Sequence, residues 1–306
     1  MKSHWNTFLI AAIMLFALTS TSCRALSTSI NPLSDVSSEP SILTELDGDI
    51  AIQLPDPNFE AEVRSLIEKP AGSITANDVA SITSLGLTTL GIADLTGIEH
   101  FTALEELDCG ENLLTELDIS KNIKLKKLTC YMNQLTTLDV SRNPELEWLS
   151  CWGNSLITLD VSQNLALVYL TCDTNQLTML DLSHNPMLEE LRCGTNQLMM
   201  LDMTHNLDLT LLSCDDNQLT MLNVTYNPVL KTLICGDNQL TTLDVSHNPA
   251  LEYLVCYANQ LTTLDVIYNT VLRLLNCHSN LFPDKSSIIG LDERNLESFV
   301  FDSQGM

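Results

Sequence analysis

Residues 146–164 read Leu146-Glu-Trp-Leu-Ser-Cys151-Trp-Gly-Asn154-Ser-Leu-Ile-Thr-Leu-Asp160-Val-Ser-Gln-Asn164. The pattern returns every 21 residues, so cysteines stand at 109, 130, 151, 172, 193, 214, 235, 256 and 277 without a slip. Three places after each comes an asparagine: Asn112, Asn133, Asn154, Asn175, Asn196, Asn217, Asn238, Asn259 and Asn280. Fixed self-similarity over that many cycles means a solenoid, because one short cycle cannot bury its apolar side chains alone and stacked neighbours can. Each residue of a column is therefore a structural position first and a chemical group second.

Within a cycle the apolar residues fall in two short alternating runs, Leu104, Leu107, Cys109 and then Leu114, Leu117, Ile119. Alternation sends these six inward and predicts two short parallel strands per turn, hence two parallel sheets rising about 4.8 Å per rung. The fold class is mostly β, a solenoid over 85–280 with a helical cap ahead of it over 55–84. In that cap Asp56-Pro57 opens a helix with Phe59, Val63, Leu66 and Ile67 on its apolar face, and Lys69-Pro70 closes it. Thr75 with Asp78 opens a second, shorter helix that buries Val79 and Ile82, and Leu85-Gly-Leu87 begins the first strand. Residues 281–306 leave the period; Phe282, Ile288, Ile289, Leu291, Phe299 and Phe301 read as a closing cap, with no sorting signal or second hydrophobic tail.

The stretch from Pro55-Asp-Pro-Asn-Phe59 through Ile74-Thr-Ala-Asn-Asp78 to Leu95-Thr-Gly-Ile98 resembles the N-terminal cap of internalin-like bacterial leucine-rich-repeat proteins. The body matches L-x-x-L-x-L-x-x-N-x-L with cysteine in the third apolar slot, and the resemblance covers about residues 55 to 302. It implies an exposed binding scaffold outside the cell and names no ligand.

The first 22 residues are of another kind: Lys2, an apolar run from Phe8 to Leu18, then Thr19-Ser-Thr-Ser22 before Cys23. This is a secretory signal peptide. It resembles a bacterial lipoprotein signal, with Cys23 as the lipid-bearing N-terminus, although Ser20 stands where such signals usually carry Leu; ordinary cleavage, for example after Ala25, is the alternative. Residues 23–54, rich in Ser, Thr, Pro and acids, read as a flexible tether. The expected location is across the inner membrane, anchored on the cell surface or facing the periplasm. No mature stretch reaches the roughly 18 apolar residues of a membrane span.

The chain carries 39 acidic and 14 basic residues, net −25, which argues against nucleic acid as a partner and suits a self-repelling monomer. Nine aligned cysteines invite a metal or disulfide reading. Yet each occupies a slot the repeat fills with a small apolar residue, nine is odd, and thiols along a line neither converge on an ion nor meet disulfide geometry. We read them as core thiols. The asparagines read as corner caps that also tolerate left-handed backbone. A column of Asp118, Asp139, Asp160, Asp181, Asp202, Asp244 and Asp265, broken by Asn223, points outward on the second run. Neighbouring carboxylates repel, so something offsets them: hydroxyls and backbone two residues on are the simpler reading, and a row of Ca²⁺ ions the sharper alternative.

Ligand specificity belongs where the frame varies. The outward positions of the first run bring Tyr131, Trp148, Trp152 and Tyr169 onto three adjacent rungs of one face, with Tyr253 and Tyr257 sharing a later rung. These six are the candidate ligand-binding residues, the first four forming an exposed patch about 15 Å across; packing of aromatics on a β surface is the alternative. No nucleophile–base pair, phosphate loop or His-rich metal motif occurs, so no enzyme and no cofactor is expected. The expected function is a binding or adhesion scaffold for a protein or glycan. A structural, envelope-organising repeat protein is the runner-up. Partial threonine ladders (Thr136-Thr137, Thr241-Thr242, Thr262-Thr263) make ice binding a distant third.

Overall fold

The structure, a computed structural model, describes residues 50–302. The leader, most of the tether and Cys23 lie outside the described residues. The chain begins with helix α1 (Pro57–Leu66), opened by Asp56, whose side chain accepts from the N–H groups of Asn58 at 2.9 Å and Phe59 at 3.1 Å. The other carboxylate oxygen of Asp56 accepts from Ala93 N–H at 2.8 Å, so the residue that starts the helix also pins it to the first turn of the solenoid. Phe59 and Val63 are fully buried, Phe59 stacking on Phe101 with ring centroids 6.1 Å apart. Leu66, expected on the apolar face, is instead 48% exposed, while Ile67 after it packs half-buried against the core. Helix α2 (Ala76–Val79) is capped by Asp78, which takes the Thr75 N–H at 2.7 Å and the Lys69 ammonium at 2.7 Å.

From there the chain winds. Strands β1 (Ser84–Gly86), β2 (Glu106–Asp108), β3 (Lys127–Thr129), β4 (Trp148–Ser150), β5 (Tyr169–Thr171), β6 (Glu190–Arg192), β7 (Leu211–Ser213), β8 (Thr232–Ile234), β9 (Tyr253–Val255), β11 (Leu274–Asn276) and β13 (Ser298–Val300) form one parallel sheet in that order. The register is the repeat itself, Leu128 beside Leu149 beside Leu170, so a one-residue slip would turn every core leucine outward. Each central leucine is buried, and so are all nine repeat cysteines, whose thiols are free and pushed up by burial away from the reactive thiolate. The closing segment adds β13 to the sheet after β11, and Phe282 and Ile288 fill the end of the core. Phe299 and Phe301 pack against it half-buried, and Ile289 is exposed.

The second strand of each turn does not form as expected. Among the described residues only β10 (Leu264–Asp265) pairs, with β12 (Ile288–Ile289), and a single bridge joins Asp202 to Asn223. The aspartate column explains why: Asp118 Oδ1 accepts from the backbone N–H of Ser120 at 2.9 Å, and Asn122 N–H then turns back to the Ile119 carbonyl at 3.0 Å. Short polar side chains that bond their own backbone compete with a ladder, and here they turn the chain after two or three extended residues. The inward side chains are still buried; Leu138, Val140, Leu159 and Val161 line the core as the alternation requires, and only Leu117 in the first such turn is half-buried.

The two asparagine columns do different work. In the first, Asn133 Nδ2 donates to the carbonyls of Cys109 and Cys130 at 3.0 and 3.1 Å, while its Oδ1 accepts from Leu114 N–H at 3.0 Å. Every such side chain thus stitches two successive rungs. The left-handed residue is not the asparagine but the one before it: Glu111, Met132, Thr174, Thr195, Asp216, Asp237, Ala258 and Ser279 have φ between 47° and 55°. Only Gly153 takes that position without steric strain. In the second column Asn122, Asn143, Asn164, Asn185, Asn206, Asn227 and Asn248 are fully buried. Their Nδ2 groups bond carbonyls of the preceding rung, while their Oδ1 atoms find no partner among the described residues.

Candidate functional site on the sheet face

Each three-residue strand puts its first and last residue on the outer face of the sheet, and the residue two places further on continues that face. Three parallel columns result. The outer two are those the sequence singles out, through 106, 127, 148 and through 110, 131, 152. The one between them, Asp108, Thr129, Ser150, Thr171, Arg192, Ser213, Ile234, Val255 and Asn276, is largely buried by its neighbours although it faces away from the core. Sequence reasoning missed it; its mixture of small hydroxyl residues beside variable large ones was the available signal. Within it Thr171 donates to Ser150 Oγ at 3.0 Å.

The rings pair across rungs. Trp148 stacks on Tyr169 with centroids 3.5 Å apart and planes 11° from parallel, and Tyr131 stacks on Trp152 at 5.1 Å and 7°. Lys127 Nζ lies 5.2 Å from the Trp148 centroid, and the Arg192 charge lowers the Tyr169 phenol's pKa against burial, the larger effect, which raises it. The facing surfaces of Trp148 and Tyr169 cover each other and Lys127 sits near Trp148, so ring edges are the larger part of what the stack offers a ligand. The exposure expected of all four residues is found only in part: Trp148 is 37% exposed, and Tyr131, Trp152 and Tyr169 are half-buried by one another. Beside the stack lies an open groove of about 460 Å³, walled by Glu106, Lys126, Lys127, Glu147, Trp148, Val168, Tyr169, Glu189 and Glu190. Lys126 is engaged by Glu105 at 2.9 Å, while Glu190 lies 3.9 Å from Arg192.

Of the later pair, Tyr257 departs from expectation. It is only 7% exposed, because its ring lies over Gly236, where a Cβ would collide with it, and stacks on His278 at 5.1 Å. Gly110 makes the same room for Tyr131. Burial, then the nearby Asp237 and Asp215 carboxylates, push the Tyr257 phenol up. Tyr253 stays half-buried, with Arg273 5.9 Å from its ring centre.

Between the two aromatic zones the same column reads Asp173, Gly194, Asp215. Gly194 N–H donates to Asp173 Oδ1 at 3.0 Å, and the Ser213 hydroxyl donates to Asp215 Oδ1 at 2.8 Å. Burial, with the Asp215 charge adding to it, raises the Asp173 carboxyl to about 6, against the Gly194 N–H and Arg192, which lower it. Asp215 is raised too, by burial and by Asp216 and Asp237. A carboxyl half-protonated near pH 6 on an open face is an unusual feature, and only the glycine between two aspartates hinted at it.

The outward aspartate column lies on the opposite flank. Each of its seven members accepts the N–H two residues on at 2.9 to 3.0 Å, and Asn223 does the same, so the amide substitutes without a break. That N–H and then the hydroxyl hold Asp118, Asp160, Asp181 and Asp202 below the usual carboxylate range; at Asp139 and Asp244 the hydroxyl leads. Among the described residues no three His, Cys, Asp or Glu side chains converge as a metal site, and no helix is long and apolar enough to cross a membrane.

No family model matches the chain. Internalin J of Listeria monocytogenes is 44% identical over 69 residues, which are 22% of this chain and 8% of that protein. The solved functional domain of InlJ from Listeria monocytogenes, described as including a cysteine ladder, superposes with a TM-score of 0.77 at 37% identity over 83% of this chain and 62% of that one. An internalin, InlF, of the same species matches at a TM-score of 0.66 and 24% identity over 81% of this chain and 82% of its own, a likeness of fold alone. The chain therefore spans less than two thirds of the InlJ domain and a small fraction of the whole internalin J. With its 21-residue turn, its helical cap and its own unbroken column of buried cysteines, the chain is an internalin-like leucine-rich-repeat protein.

Proposed function

We propose that the protein is a non-catalytic binding scaffold that recognises a protein or glycan on the outer face of its sheet, around Tyr131, Trp148, Trp152 and Tyr169. One observation carries this reading: two ring stacks lie across three rungs at positions where the repeat is otherwise free to vary, and the Trp148–Tyr169 stack borders an open groove rather than the core. Ring edges offer apolar contact at low entropic cost, and the flanking Glu147, Glu189 and Glu190 supply acceptors for a hydroxyl, amide or cation. The similarity to InlJ supports a binding role in general, without naming a ligand. A test begins with the full chain on an array of glycans and extracellular proteins. For the ligand found, Trp148→Ala with Trp152→Ala should weaken binding at least tenfold while removing only the two stacks, about 1 to 3 kcal/mol of stability together. Undiminished binding by the double variant would move the site elsewhere and favour the structural-scaffold reading.

The same proposal places the solenoid outside the cytoplasm on a lipid anchor at Cys23, supported by the apolar leader before that residue and the tether after it. Intact mass of the purified protein should show cleavage before Cys23 plus acyl chains, and Cys23→Ala should leave the membrane fraction. A mature chain beginning beyond Cys23 would end the lipoprotein reading.

A further inference from the structure

On the turn between the two runs of each rung, the residue before the inward leucine is Thr137, Thr158, Thr242 or Thr263 in four turns. In the three turns between, it is Met179, Met200 and Met221, and these side chains are 77%, 78% and 74% exposed. A thioether left in water at that level gains nothing from packing, so the core does not account for it. Met199, on the same rung as Met200, is 62% exposed beside it.

The backbone keeps these three in register. Gln197 N–H bonds the Leu177 carbonyl at 2.9 Å and Gln218 N–H the Leu198 carbonyl at 2.9 Å just before them, and Asp202 bridges Asn223 just after. Successive methionines are therefore one rung apart, about 4.8 Å, and the outer two about 10 Å apart. Methionine's flexible, unbranched side chain lets both outer sulfurs lean in over Met200.

We propose that Met179, Met200 and Met221 form a three-thioether site for a soft monovalent cation of the Cu(I) or Ag(I) class, with Met199 as a fourth donor within reach. Neutral thioethers hold hard cations such as Ca²⁺ and Mg²⁺ poorly and soft d¹⁰ ions well. The charge around the site matches: Asp181 and Asp202 stand two residues beyond Met179 and Met200, and the only Lys or Arg between residues 168 and 230 is Arg192, on the sheet face. The nine repeat thiols, stronger donors for the same ions, are all sealed in the core and protonated, so the surface thioethers are what an arriving ion meets. Binding exchanges water for thioether on the ion and involves no electron transfer.

The test uses the full chain with accessible thiols alkylated beforehand and ¹³C-methyl-labelled methionine, titrated with Ag(I) as a redox-inert probe. The methyl signals of Met179, Met200 and Met221 should shift together and saturate at one ion per chain, while that of Met203, fully buried in the core, stays fixed. Met200→Thr should weaken uptake at least tenfold, and Met179→Thr with Met200→Thr and Met221→Thr should abolish it. Threonine already serves at the same place in four other turns, so the fold is kept and far-UV circular dichroism checks it. The proposal falls if the three methyls show no saturable shift, or if the triple variant takes up the ion unchanged, which would put it on the thiols. Neither result bears on the sheet-face site.

Discussion

Asn217→Ala is expected to destabilise the protein by about 3 to 5 kcal/mol, whereas Asn227→Ala, ten residues later in the same turn, should remove only about 1 to 2 kcal/mol. Both side chains are buried asparagines in unbroken columns, so their difference is one of partners. Asn217 Nδ2 donates to the carbonyls of Cys193, Cys214 and Asp215 at 3.0, 3.1 and 3.2 Å, and its Oδ1 accepts from Leu198 N–H at 2.9 Å. Cutting it to a methyl removes four bonds and leaves the buried Leu198 N–H without a partner, the expensive half of the loss. Asn227 donates to the carbonyls of Met203 and Asn206 at 3.2 and 2.8 Å, but each of these also accepts a backbone N–H, and Asn227 Oδ1 has no partner to lose. Its removal orphans nothing and abolishes one buried acceptor that was already unpaired. Urea unfolding of the two variants beside the wild type measures this, read from midpoints at constant slope so that loss of cooperativity along the repeats is seen separately. Equal losses would mean that the second column's oxygens are satisfied after all.

That contrast also marks how far the sequence could be read. The 21-residue period announces the parallel stacking, the inward leucines and the burial of all nine cysteines, because a period of fixed length leaves one register. The cap was equally legible at Asp56 and Thr75, where capping side chains act locally. The second sheet was not, since an alternating run states which side chains go in but not whether the backbone between rungs finds ladder partners; the Asp118-to-Ser120 bond that competes is a local choice hidden in a repeated Asp-x-Ser. On the face, outward positions were identifiable by parity. Their exposure was not, because it depends on which neighbour a ring leans toward: Tyr257 is covered for want of a side chain at Gly236, and Trp148 is partly shielded by Tyr169. The carboxyl pair of Asp173 and Asp215 went unseen for a like reason. Two residues 42 positions apart become neighbours only once Gly194 between them is recognised as a gap.

The other large effect centres on that pair. Asp173→Asn should raise the melting temperature at pH 7.5, and the gain should shrink as the pH falls through the folded value of about 6 and vanish below the ordinary value of 3.8. The Asp173 carboxyl titrates near 6 in the fold against 3.8 ordinarily, so the folded protein holds this proton more tightly than the unfolded chain. A group raised in this way contributes stability in full below the unfolded value and loses it as the pH rises through the folded one. At pH 7.5 it is ionised, half-buried, and faced by the charge of Asp215, with Arg192 the only cation that offsets it. An amide at 173 removes the charge and keeps an oxygen for the Gly194 N–H, so the gain is set by about two pKa units, of order 2 to 3 kcal/mol before solvent screening lowers it. Asp181→Asn is the mirror image. Its carboxyl is held low by the Ser183 N–H and hydroxyl, so it stabilises above the ordinary value and stops doing so as the pH drops through the folded one. That variant should melt lower than wild type at pH 7.5 and converge with it in acid. Melting curves of the wild type and both variants, followed from pH 7.5 down to well below the ordinary carboxylate value of 3.8, should therefore start apart in opposite directions and approach a common acid limit. A pH-independent Asp173→Asn would show that this carboxylate is hydrated and turned away from Asp215, and the acidic gap at Gly194 would then be a feature of the surface with no electrostatic consequence.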